Sequence, residues 1–146
     1  MSEHTKFKRV YEEHDEEIIA NAENVRKLIF CTGKIYYELA DAREKNGSKD
    51  IAIARLEQLA PFPWDRVAEE CAKFKNAEIT WCQEEPKNMG AWAFVQPRIF
   101  TATKTLNGTP RAAVYAGRKP SAATATGLGG RAHDAEQHAI LNMAFE

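Results

Sequence analysis

The stretch Glu78-Ile79-Thr80-Trp81-Cys82-Gln83-Glu84-Glu85-Pro86-Lys87-Asn88-Met89-Gly90-Ala91-Trp92 joins an apolar run to an aromatic-rich segment through a polar loop that stops at a glycine. The run 78–83 reads as a buried strand and the segment opening at Ala91 as a helix. A buried strand that leads through a loop into a helix is one unit of a parallel sheet, because parallel neighbours need a helical crossover. In open sheets of that kind, ligands or neighbouring domains sit outside the carboxyl ends of the strands. Glu84, Glu85, Asn88 and Gly90 are therefore expected to project into that crevice. The plainer alternative is a capping loop, in which Asn88 caps the helix, Gly90 permits close approach and the glutamates are solvated near a helix amino terminus.

Outward from that stretch the same unit recurs. Residues 26–32 form a compact apolar run ended by Thr32-Gly33, and residues 34–45 place Ile35, Leu39 and Ala42 on one helical face before the stop at Asn46-Gly47. A second buried strand, 51–56, leads into Glu57-Gln58-Leu59-Ala60-Pro61-Phe62-Pro63, where the prolines forbid a continued ladder and Pro63 stands where a helix can begin. Trp64, Val67, Ala68, Cys71 and Phe74 then recur at helical spacing. Beyond the quoted stretch, a helix reaching about residue 106 contains Pro97, which means a kink or a later start. Asn107-Gly108 marks a turn, 112–116 is a strand candidate, 118–130 is a loop of small residues, and 132–145 reads as a last helix. At the other end, 7–11 is expected as a short edge strand and the acidic run after it as a solvated loop. The expected architecture is a three-layer α/β/α Rossmann-like domain over 26–146, preceded by an amino-terminal segment, 1–25, that carries the edge strand.

Composition narrows the functional classes. A chain of 146 residues is one domain of ordinary size, and 20 basic against 21 acidic residues give a net charge of -1. No global field draws it to nucleic acid or to an anionic membrane, so any anion site must be local. No apolar run approaches the roughly 18 residues that span a bilayer. Glu3, Glu12, Glu13, Asp15, Glu16 and Glu17 crowd the amino terminus, the opposite of a signal core or organelle presequence, and no targeting segment is read there. Cys31, Cys71 and Cys82 are too far apart for a local metal pair and fall in apolar runs or on a buried helix side, as thiols in a reducing compartment do.

Few constellations suggest chemistry. Thr32-Gly33-Lys34 lacks the upstream glycine and the following hydroxyl of a phosphate loop, which leaves a plain strand-to-helix turn. Gly127-Leu128-Gly129-Gly130 before the last helix has Arg118, Lys119, Ser121 and Arg131 nearby, so these four are the anion or effector candidates, with a flexible connector as the alternative. His133 and His138 are five apart and do not share a helix face, which argues against a zinc pair, while Asp134 and His138 are spaced to pair at the surface. No nucleophile elbow and no cysteine with a visible histidine partner occurs. No catalytic, metal or cofactor-binding set is assigned to this chain.

The segments LIFCTGKIYYEL (28–39), RLEQLAPFP (55–63), WCQEEPKNMGAW (81–92) and YAGRKPSAATATG (115–127), with His133 to Gln137, together resemble the carboxyl-terminal domain of 2-oxoglutarate dehydrogenase. That enzyme is the thiamin-diphosphate-dependent, decarboxylating first component of its complex, in the transketolase-like family. The resemblance implies a transketolase carboxyl-terminal fold of about five strands, mostly parallel, with 7–11 as one antiparallel edge strand. It implies that thiamin diphosphate, magnesium and the catalytic histidines belong to preceding domains, and that the isolated chain is inactive. The implied role is structural: to complete the homodimer and buttress the cofactor domains of an enzyme that decarboxylates 2-oxoglutarate oxidatively in the tricarboxylic acid cycle. By the match, Arg55, Glu57, Gln58, Glu84, Glu85, Asn88 and Gly90 are the contact candidates. The compartment would be the mitochondrial matrix in a eukaryote and the cytoplasm in a bacterium. Met89 in place of a common glutamine, Thr124 in place of a usual proline, and Leu128-Gly129-Gly130-Arg131 in place of a more basic segment depart from the pattern. Two other readings stand beside this one: a regulatory module binding a phosphorylated effector such as a nucleotide or coenzyme A, and docking to the dihydrolipoyl acyltransferase component or its lipoyl carrier.

Overall fold

The computed structural model describes residues 7–120 and 130–146, and the side chains of 7–120 and 134–146. In chain order its elements are β1 (Val10–Tyr11), α1 (Glu16–Ala20), β2 (Lys27–Cys31), α2 (Ile35–Asn46), β3 (Ile51–Leu56), α3 (Trp64–Lys73), β4 (Glu78–Pro86), α4 (Trp92–Asn107), β5 (Val114–Arg118) and α5 (Gly130–Phe145). The strands form one five-stranded sheet in the order β1-β3-β2-β4-β5. β1 pairs antiparallel with β3, as the family resemblance implied, and every other pairing is parallel.

Helices cover both faces, so the inner strands are apolar on both sides. β2 is buried at all five positions and β4 at its second to sixth. One face of the sheet, with Leu28, Phe30, Ala54, Ile79 and Trp81, packs on Val67, Cys71, Val95 and Ile99 of α3 and α4. The other, with Ile29, Cys31, Ile53 and Cys82, packs on Ile35 and Leu39 of α2 and on Ile140 and Ala144 of α5. Val10, Ile18 and Val25 bring the amino-terminal segment into the first of these layers. Two arginines close helix ends: Arg111 donates to the carbonyls of Cys71, Phe74 and Ala77 after α3, and Arg26 to those of Phe145 and Glu146 after α5.

Several boundaries differ from the sequence reading. β4 runs three residues past Gln83, to Pro86, because its partner β5 follows it that far through an irregular register between Cys82 and Pro86. β5 itself starts at Val114 and not at 112. α4 starts at Trp92 and keeps Pro97 inside it; the proline's missing N–H would have met the carbonyl of Ala93, an exposed position where water can serve.

The largest correction concerns the acidic run, which is not a solvated loop. Asp15 caps α1 by accepting from the amides of Glu17 and Ile18, and Glu13 is buried at 2% exposure. The reason lies in the shortness of β1. Beyond Leu56 and Arg55, which pair with Val10 and Tyr11, the outer edge of β3 has no strand beside it. Glu13 and Arg43 fill that place: the Glu13 carboxylate accepts from the Ile53 amide at 2.8 Å, the Arg43 guanidinium donates to the Ile51 carbonyl at 3.0 Å, and the two side chains bond each other. An ion pair thus completes the ladder that a strand would otherwise supply.

Below this pair, burial pushes the Glu70 carboxyl above its ordinary pKa, against the opposing pull of Lys73. Two expectations follow from this corner. Arg43→Ala strands the Glu13 charge in the interior and should lower stability by about 3–5 kcal/mol, read as a shift of the urea midpoint. A carboxyl with a raised folded pKa holds a proton that the unfolded chain has already released, so its contribution to stability falls as pH rises through the window above the unfolded value. Glu70→Gln should flatten that part of the stability–pH curve, measured by urea unfolding across the acid range.

Candidate functional site

β2 hands its chain to α2 on one face and β4 hands its chain to α4 on the other, which makes the gap between their carboxyl ends the switch point of the sheet. A groove of about 390 Å³ opens there. Its walls are Leu59, Ala60, Ala91 and Phe94, Trp81 and Gln83 lie beneath, and Thr32, Glu85 and Gly90 also line it.

The groove is organised by Gln83, a residue the sequence reading passed over. Its side-chain oxygen accepts from the Trp81 indole N–H at 2.9 Å and from the Trp92 backbone amide at 3.0 Å. Its amide nitrogen donates to the carbonyls of Met89 at 2.8 Å and Pro86 at 2.9 Å, with that of Glu85 at 3.1 Å. One buried side chain therefore closes the loop 86–90 and satisfies the first turn of α4. Ala91 occupies the N-cap position and makes no side-chain cap, so the capping role expected of Asn88 falls to Gln83. Asn88 is exposed on the loop. Gly90 has φ +66, and a Cβ there would lie 3.0 Å from a Glu85 carboxylate oxygen and 3.1 Å from the Gln83 oxygen. Both the left-handed backbone and the tight space call for glycine.

Alternation along β4 separates the two glutamates. Glu85 lines the groove, while Glu84 points to the opposite face, where Gln137 of α5 donates to it at 3.3 Å and to Glu38 of α2 at 2.6 Å. The expected cluster of Glu84, Glu85, Asn88 and Gly90 is thus split across the sheet. Tyr115 closes the outer side of the loop: its hydroxyl donates to the Arg118 carbonyl at 2.6 Å, and burial pushes its pKa up to about 12.

At the end of β3, Arg55 sits among three tyrosine rings, with its guanidinium 4.6 Å from the ring centre of Tyr11, 5.0 Å from that of Tyr36 and 5.4 Å from that of Tyr37. It donates to the Tyr37 hydroxyl at 3.0 Å, and its Nε lies 2.6 Å from the Glu57 carboxylate, an ion pair without hydrogen-bond geometry. Gln58 donates to the Pro61 carbonyl, and the amides of Glu57 and Gln58 both bond the Arg9 carbonyl. Arg55, Glu57, Gln58, Glu85 and Gly90 therefore do gather at one end of the sheet.

The anion candidates fare differently. Arg118 is engaged inside the domain, donating to the Glu84 carbonyl at 3.0 Å and pairing with Glu136 at 3.2 Å. Lys119 is exposed. Ser121 and the side chains of Arg131 and His133 lie outside the described residues. Thr32-Gly33-Lys34 is a strand-to-helix turn in which the Thr32 hydroxyl donates to the Leu56 carbonyl. All three cysteines are buried, and burial raises every one of the thiols, Cys71 and Cys82 to about 12. Among the described residues no group of histidine, cysteine, aspartate and glutamate is placed to hold a metal ion. This geometry equips the end of the sheet for recognition by apolar, aromatic and charged contacts.

The family model described as 2-oxoglutarate dehydrogenase C-terminal matches residues 1–145. The mitochondrial 2-oxoglutarate dehydrogenase of Caenorhabditis briggsae is 50% identical over 126 residues, covering 86% of this chain and 12% of that protein. The 2-oxoglutarate dehydrogenase E1 component of Brucella anthropi is 42% identical over 121 residues, covering 83% of this chain and 12% of that protein. The chain thus spans about an eighth of the length of these relatives. Among solved structures, a split-gene transketolase described as an inactive beta4 tetramer aligns with 99% of this chain and 43% of its own at a TM-score of 0.59 and 11% identity, a likeness of fold alone.

Gln83→Leu should destabilise the chain by roughly 3–4 kcal/mol, since it orphans the Trp92 amide, the Trp81 indole and the loop carbonyls together. Gly90→Ala should cost about 1–3 kcal/mol and more than Gly33→Ala, whose added Cβ meets nothing within 4 Å; urea unfolding of the two variants makes the comparison.

Proposed function

We propose an assembly role for this chain, which belongs to the family of 2-oxoglutarate dehydrogenase carboxyl-terminal domains. In this reading the carboxyl end of its sheet meets the preceding domains of a longer polypeptide and helps to complete the homodimer. The contacts come from Arg55, Glu57 and Gln58 at the end of β3 and from Glu85, Asn88 and Gly90 after β4, while Glu84 braces β4 against α2 and α5. The observation that carries the reading is the grouping at one end of the sheet of an apolar groove and an arginine caged by partly exposed tyrosines, residue types enriched at the centres of protein interfaces.

The cofactor implied by the family does not suit this groove. A diphosphate and its magnesium ion call for cations and hard oxygen ligands, whereas the groove walls are apolar and the one ionised side chain lining it, among the described residues, is the Glu85 carboxylate. Thiamin diphosphate, magnesium and the turnover of 2-oxoglutarate are assigned to the part of the polypeptide that precedes this domain. The working compartment in this reading is the mitochondrial matrix in a eukaryote or the cytoplasm in a bacterium. The effector alternative is less favoured, because Arg118 is bonded within the domain.

The test is a chimera in which this chain replaces the matched segment of a full-length relative. Dimerisation and thiamin-diphosphate-dependent turnover of 2-oxoglutarate are expected, followed by sedimentation and by activity. A monomeric, inactive chimera, or tight binding of thiamin diphosphate by this chain alone, would sink the reading.

A further inference from the structure

We infer that the groove between the ends of β2 and β4 seats an apolar side chain from the polypeptide that precedes this domain in the same chain, an inference that rests on the assembly reading above. The lining decides the chemistry. Gln83 spends its amide on the loop and on α4, and the Thr32 hydroxyl is committed to the Leu56 carbonyl. Small-molecule sites of this size place several free polar groups around the ligand. Here the walls offer Leu59, Ala60, Ala91 and Phe94, with the Glu85 carboxylate at the side, to which no donor is bonded among the described residues. Such a lining selects a bulky apolar side chain with a hydrogen-bond donor or cation beside it.

Chain direction decides the source. β1 is antiparallel to β3, with Val10 opposite Leu56, and the Arg9 carbonyl takes the amides of Glu57 and Gln58. Residues 7–9 therefore enter β1 from the carboxyl end of β3, where Gln58 stands one residue before the Leu59 wall. In the relatives this domain covers 12% of the length and is a carboxyl-terminal one, so the greater part of the chain precedes it and arrives at that end. Trp64, 39% exposed and stacked edge-on against Phe62, extends the apolar surface around the Phe94 wall.

The experiment uses the same full-length chimera, with Leu59→photo-leucine as a diazirine crosslinking wall residue of nearly unchanged shape and with isotopically light and heavy subunits mixed. The expected product joins position 59 to a peptide upstream of the matched segment, in light–light and heavy–heavy pairs only. Light–heavy pairs would assign the groove to the partner subunit and overturn the inference, as would capture of nothing or only of residues within this domain. As a second reading, Ala91→Leu fills the groove and should speed proteolytic release of the domain from the assembled chimera about tenfold, the loss of one buried aliphatic contact. A chimera that assembles but fails these tests overturns this inference alone; one that neither assembles nor turns over overturns the assembly reading and this inference with it.

Discussion

The carboxyl end of the sheet depends on the saturation of one buried amide. Gln83 is 2% exposed, and every hydrogen-bonding atom of its side chain is used. A buried polar group in this position is tolerable only when fully bonded, and once bonded it fixes everything it touches. The path of the loop, the start of α4 and the tilt of the Trp81 indole follow from that one residue. The groove has a defined shape because its base cannot rearrange without orphaning several groups together.

A similar economy governs the opposite edge. A two-residue β1 leaves part of β3 open, and an unpaired edge is both an energetic cost and a hazard for association. The Glu13–Arg43 pair covers the gap with side chains, and the residues between β1 and β2 are drawn over it as a strap whose Ile18 lies in the core. What looks in composition like a solvated acidic run is therefore part of the sheet's closure.

The alternation of apolar strands with helices was legible in the sequence, because burial on both faces produces continuous runs such as 28–31 and the helical faces of Ile35 and Leu39 or Val67 and Cys71 repeat at the right spacing. The edge strand was expected over 7–11 from the residues and forms only at Val10–Tyr11, while its antiparallel sense came from family resemblance, since two residues carry no periodic signal. Gln83 was missed because a glutamine at the end of a strand has no local signature: its partners, Met89 and Trp92, become neighbours only when the loop closes. A polar residue inside an otherwise apolar strand, just before a loop with a glycine, is the cue that was available. Glu13 was hidden for a related reason, its partners Arg43 and Ile53 lying thirty to forty residues away in the chain. The splitting of Glu84 from Glu85 was within reach of strand alternation once β4 is allowed to run past Gln83.

The three tryptophans of this chain all stand around the same groove or its rim. Trp81 is fully buried beneath it with its N–H held by Gln83, Trp92 stacks on Tyr115 beside the loop, and Trp64 lies over Phe62 at the Phe94 side. The domain's near-ultraviolet spectroscopy is consequently concentrated in one place. Emission wavelength and quenching report the state of the carboxyl end of the sheet, and the far side, with α2 and α5, is dark to the same light apart from its tyrosines.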